Sequence, residues 1–182
     1  VGIMIYSTPW AMPNPGWEFK PGVLEKLAAL ENVEGIKWSS FDMSNFITVM
    51  RLFANELNFI INNLRNSMSL AIRLGGKGFI NSDGLLAPRL VLHQWKLWQE
   101  KRYEEFDELM LKYYIDPFLK LSQPEDITWK SMSEGPSVRL KTEGLGADLG
   151  PSYPAQLPVS EDSVRQQLEA VRRSGIRDWV DW

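Results

Sequence analysis

The chain of 182 residues contains no cysteine and a single histidine, His93. Without thiols it can build neither a disulfide framework nor a thiolate metal or redox centre. One imidazole and no close carboxylate cluster leave no ligand set for zinc or calcium, so no metal site is expected. Neither sign of charge dominates: 20 basic and 23 acidic side chains give a net charge of −3, which offers nucleic acid no broad basic surface. No apolar run approaches the ~18 residues of a membrane span, and no basic segment precedes an apolar one as in a signal peptide. These absences point to a soluble protein without membrane or nucleic-acid partners, expected in the cytoplasm.

What is present is ordinary in amount, 44% hydrophobic and 24% charged, and long enough for one domain with a sizeable core. One feature is unusual. The chain opens on Val1, and "GIMIY" (2–6) already reads as a buried strand. Domains seldom begin inside a core strand, so the expectation is that this is the second part of a longer chain.

Four strand–helix units follow one another. The strands are 2–6, 33–39, 57–63 and 77–82, and the helices between them are 20–31, 43–56 and 67–76. Val23, Leu24, Leu27 and Leu30 share one face of the first helix, Ser44 is the expected N-cap of the second, and a glycine pair, Gly75 and Gly76, closes the third. Alternating periods of about 2 and 3.6 are the mark of βα units and a parallel sheet. The strands are continuously apolar, as when both sheet faces are covered.

Each strand ends in a polar or reactive side chain: Tyr6, Lys37, Asn62 with Asn63, and Asn81. Parallel α/β folds place ligands outside the carboxyl ends of their strands. Lys37 is the sharpest case, because a lysine inside the apolar run "VEGIKWSS" is seldom buried without a purpose. Either its ammonium reaches water at a strand end, or its amine is a nucleophile. Lys77 precedes its strand, at the opposite end of the sheet, and is read as solvated. The asparagines are commonly turn-formers, and His93, on a helix beyond the last strand, is read as structural.

From Pro88 onward the chain is helical. The stretch 88–122 breaks near 99–102, further helical pieces cover 136–146 and 160–175, and a proline-rich connector lies between those two. Ser160 and Gly175 are the expected caps of the last helix. Trp95 and Trp98, with Val91 and Leu92, suit a core or a subunit contact. The run "EKRYEEFDE" reads as a solvated helix face. A complete (β/α)8 barrel needs about 250 residues. Four strands and a helical tail therefore give half a barrel (1–87, strands 5–8 with their helices) plus a helical remainder (88–182), or else a small open parallel sheet.

"GIMIYSTP", then "GIKWSSFDM", then "GGKGFINSD" resembles the dihydrodipicolinate synthase / N-acetylneuraminate lyase family of Schiff-base lyases, from Val1 to about Gly175. The ordered set Tyr–x–x–Pro, Gly–apolar–Lys and Gly–x–Gly–apolar–Ile is specific as a set. The resemblance implies the C-terminal half of a (β/α)8 barrel with helices after it, and no cofactor. It implies that Lys37 forms an imine with pyruvate or another 2-oxo acid, that Tyr6 relays protons, and that the backbone carbonyl of Ile80 and the hydroxyl of Ser39 face the substrate. Asn62 and Arg65 fall where the lyase branch contacts the substrate's tail, and Arg65 suits a carboxylate.

Two positions depart from that pattern. Ala11 stands where the synthases usually carry an arginine, which argues against dihydrodipicolinate synthesis proper. The Gly–Thr–Thr pair that grips the pyruvate carboxylate in the family belongs to the first half of the barrel and is absent here. The expected activity is an aldolase-, synthase- or dehydratase-type lyase on a 2-oxo acid, needing the N-terminal half of the barrel and, by resemblance, assembled as a homotetramer. The alternatives are a true dihydrodipicolinate synthase, a catalytically silent 2-oxo-acid-binding homologue, and a small flavodoxin-like sheet with Lys37 structural.

Overall fold

A computed structural model describes residues 1–9, 14, 16–62, 64–81, 87–115, 162, 165 and 175–179. The chain divides into two compact units, Val1–Asn81 with Leu97–Asp107, and Ser82–Lys96 with Glu108–Trp182. The first alternates β1 (Ile3–Ser7), α1 (Pro21–Ala28), β2 (Val33–Trp38), α2 (Met43–Phe53), β3 (Asn58–Ile61), α3 (Leu64–Ser67), α4 (Leu70–Arg73) and β4 (Gly78–Phe79). Every neighbouring pair of strands is parallel, in the order β1-β2-β3-β4. The expected half barrel of four βα units is the architecture found.

One face of this sheet makes the core. Ile36, Trp38, Phe59 and Ile61 are fully buried, and the rings of Trp38 and Phe59 meet edge-on at 6.0 Å. Phe79 meets Trp98 of α5 (Pro88–Glu100) at 5.5 Å. The α2 helix buries Phe46, Val49, Met50 and Phe53, one apolar stripe at helical spacing. The opposite face is different. Met4 and Ile80 are 55% and 45% exposed, Asn58 is exposed, and Lys37 and Ile60 are only half-buried. The expectation that both faces are covered therefore fails among the described residues, and β1 is largely exposed rather than buried. Apolar strands record what a barrel interior requires, and four strands do not enclose one.

Gly35 is where the sheet demands glycine. A Cβ there would lie 2.6 Å from the carbonyl oxygen of Asn58, its register partner on β3.

Local chemistry moved two helix boundaries. The N-cap of α2 is Asp42, whose carboxylate accepts the Asn45 N–H at 3.0 Å. Ser44, the expected cap, lies inside the helix. The expected helix 67–76 is two short helices with Met68 at φ 45° between them. Asp107 of α6 (Tyr103–Met110) takes Ser69 N–H at 2.7 Å and the Ser69 hydroxyl at 2.6 Å, so the chain is recaptured at Ser69 and a new helix starts. Gly75, at φ +91°, ends it.

The α5–α6 break falls where expected, with Lys101 at φ 55° between the helices. In the second unit, His93 stacks on Trp179 at 5.2 Å, and Tyr113 meets the same indole edge-on at 6.1 Å. His93 is thus part of an aromatic cluster, in keeping with a structural role. A π-helical turn (Leu111–Ile115) follows α6 and a 3-10 turn (Ile176–Trp179) lies near the C-terminus. The expected helix 136–146 and the connector lie outside the described residues, as does most of 160–175, of which Asp162 and Arg165 are helical and Gly175 takes a positive φ. No described helix is long and apolar enough to cross a membrane.

Candidate functional site

Parallel register brings the candidate residues together. Tyr6 pairs with Lys37, Lys37 with Ile60, and Ile60 with Gly78, so the four form one row across the sheet near the strands' carboxyl ends. Lys37 Nζ sits 3.9 Å from the centroid of the Tyr6 ring. The contact is with the face of the ring, where the quadrupole attracts a cation.

Three more hydrogen bonds extend the ladder past the strands: Ser39 N–H to Ser7 O at 3.3 Å, Asn62 N–H to Trp38 O at 2.9 Å and Ile80 N–H to Ile61 O at 2.9 Å. Ser39, Asn62 and Ile80 thus fall two residues beyond Lys37, Ile60 and Gly78, about 7 Å further along the strands. The alternation of side chains returns that row to the Lys37 face. Ser39 is fully buried and its hydroxyl has no hydrogen-bond partner among the described residues; Ser7 Oγ and Trp38 Nε1, from the row between, are likewise buried without one there. Arg65 lies in α3, directly after the third strand; its side chain, like Asn63 and Ala11, lies outside what is described. Lys77 precedes β4, at the opposite end of the sheet.

The residue that sequence reasoning missed is Glu18. It is 1% exposed, yet no cation pairs with it among the described residues. Its Oε1 accepts the N–H groups of Phe41 (2.5 Å) and Asp42 (3.0 Å). Its Oε2 accepts the Ser40 hydroxyl (2.6 Å) and Asn45 Nδ2 (3.2 Å). Asn45 Nδ2 also reaches Phe19 O at 3.1 Å. An acidic residue inside "GWEFKPG", directly before a proline-started helix, was the available signal. Beside this network the exposed Asp42 carboxyl is held below its ordinary range, chiefly by the Asn45 N–H, with Lys20 at 3.5 Å assisting and partial desolvation opposing. Among the described residues no group of three or more His, Cys, Asp or Glu could hold a metal ion.

A half-barrel of parallel strands with a lysine and a tyrosine side by side at its carboxyl edge is the (β/α)8 class, and the solved structures agree. The chain superposes on dihydrodipicolinate synthase from Thermotoga maritima with a TM-score of 0.69 at 20% identity, covering 97% of this chain and 57% of that one. The enzyme from Acinetobacter baumannii, solved with pyruvate, gives 0.70 at 18% identity over 97% and 56%. In sequence, the 4-hydroxy-tetrahydrodipicolinate synthase of Methanospirillum hungatei is 26% identical over 163 residues, 90% of this chain and 51% of the relative. No protein-family model matches the chain. The chain spans about half the length of the curated relative it matches, and the resemblance to the dihydrodipicolinate synthases holds in both sequence and fold.

Proposed function

We propose that this chain carries the nucleophile and proton relay of a Schiff-base-forming lyase acting on pyruvate or another 2-oxo acid. The observation that supports this most is the pairing of Lys37 with Tyr6, in contact across adjacent strands at the carboxyl edge. In this reading the Lys37 amine, in its unprotonated form, adds to the C2 carbonyl carbon. The carbinolamine oxygen takes a proton from the Tyr6 phenol and leaves as water, and the protonated imine accepts the electron pair of an adjacent bond as it breaks or is formed. Ser39, Asn62 and Ile80 are proposed to line the substrate, with Arg65 as a carboxylate partner. The reaction asks for no cofactor.

The clamp for the 2-oxo acid's carboxylate is proposed to come from a further barrel half, with residues 1–87 as this chain's half and 88–182 as its helical remainder, in a cytoplasmic homotetramer. True dihydrodipicolinate synthase is the second reading. It is favoured by the relatives in hand and opposed by Ala11; formation of 4-hydroxy-tetrahydrodipicolinate distinguishes it. A silent 2-oxo-acid binder would form the imine without turnover.

The test is reductive trapping. Borohydride added to the protein with pyruvate should fix an adduct, and peptide mass mapping should place it on Lys37. Lys37→Arg should abolish it, because a guanidinium stays protonated and forms no imine. An adduct on Lys77, or none, ends the proposal.

A further inference from the structure

We propose that Glu18 is a positioning residue for Lys37, a strut tying the loop after β1 to the loop after β2. The inference rests on the imine reading and adds to it a residue that touches no substrate. Among the described residues, the four hydrogen bonds that Glu18 accepts come from one short segment, Ser40 to Asn45. That segment leaves the carboxyl end of β2 just after Lys37, and Glu18 lies on the connection leaving β1 just after Tyr6. The carboxylate therefore ties the end of the β1–α1 connection, next to α1, to the segment that leaves β2 directly after Lys37 and Trp38.

The chemistry of the bridge is exacting. A carboxylate has about four lone-pair sites, and here each oxygen takes two donors. Two of the donors are the N–H groups of Phe41 and Asp42, at the entry to α2, where a negative charge is favoured. A glutamine cannot replace it. Whichever way its amide turns, its NH2 faces either two backbone N–H groups or the Ser40 hydroxyl with the Asn45 amide. The Ser40 hydroxyl can rotate, but the other donors cannot change sign. Burial makes the mismatch costly, since water does not reach the carboxylate to repair it. A displacement of about 1 Å at a reacting group can cost as much as ~10²-fold in rate, so slack in this strut should appear as lost chemistry.

The experiment measures the rate of borohydride trapping of pyruvate per folded molecule, in the protein together with whatever polypeptide completes its site. Wild type, Glu18→Gln and Ser40→Ala are compared, each with its thermal midpoint and near-ultraviolet circular dichroism. Well below the midpoint, Glu18→Gln is expected to keep a folded spectrum while trapping at least roughly 10-fold more slowly, with the pyruvate concentration for half-maximal rate changed much less. Ser40→Ala, which removes one of the four donors and leaves the backbone untouched, should show a smaller loss of the same kind. A lower midpoint with wild-type trapping by the folded molecules would make Glu18 merely structural and overturn the proposal. If Glu18→Gln does not fold, Ser40→Ala decides alone: slower trapping supports the strut and wild-type trapping overturns it. Wild type that never traps defeats the imine reading, and the strut with it, a result distinct from wild type and variants trapping equally.

Discussion

Tyr6 presents Lys37 with a ring face, and its hydroxyl is a separate chemical asset that one substitution can remove. Tyr6→Phe keeps the surface under Lys37 Nζ and deletes only the proton donor. The proposed relay predicts an unchanged thermal midpoint and a kcat lower by roughly 10²–10⁴-fold; an unchanged kcat would return Tyr6 to a packing role. Asp42 supplies a second residue-scale prediction. Its carboxyl titrates below the ordinary value of 3.8 because the Asn45 N–H donates to the ionised form. A depressed folded-state pKa stabilises the fold above that ordinary value and loses this effect as pH falls through the lowered one. Asp42→Asn keeps a capping oxygen but no charge. Its midpoint should therefore lie below that of wild type at neutral pH, and the gap should close on acidification below about 3.8. A gap independent of pH would show that the charge contributes nothing. Lys37 and Tyr6 were legible in the sequence because strand ends can be counted from the residues alone. Glu18 was not, because its partners lie more than twenty residues away and an isolated acid in an aromatic loop carries no periodic signal.

At the scale of elements, the strand-helix alternation was readable because each element has its own period. Its boundaries were less readable, because long-range partners set them. The helix starting at Asp42 rather than Ser44, and the split at Met68, both follow from hydrogen-bond acceptors whose use cannot be counted along the chain. The Gly–apolar–Lys signature gains a physical reason: Gly35 lets β3 approach β2 closely, two residues before the lysine. Gly35→Ala would drive a methyl into the Asn58 carbonyl. The expected result is a loss of about 1–3 kcal/mol, the usual cost of overpacking, in chemical denaturation. A neutral result would mean that the two strands can part without consequence.

For the molecule as a whole, the exposed sheet face and the position of β1 at the edge of the sheet set the behaviour of Val1–Trp182 produced by itself. Met4 and Ile80 are exposed there, and an unpaired strand edge is a template for further pairing. Sedimentation should reveal concentration-dependent association, and the polypeptide alone should not turn over a 2-oxo acid. A monodisperse, active monomer would contradict the proposed half-site. Parallel order and the half barrel were legible from the strand count. The exposed face was not, because apolar strands carry the same composition whether or not something lies over them.

The face that bears Lys37 and Tyr6 is also, among the described residues, the more exposed face of the sheet. Occupying the site and covering the sheet therefore draw on one surface, and the two equilibria are linked. If the proposed further barrel half covers this face, a molecule held on Lys37 that also touches it must tighten that association by the same factor by which the association tightens its binding. One that fills the face without reaching across must drive the pieces apart. Measured as a change in association constant with and without ligand, the coupling would report which atoms of the ligand lie on the far side.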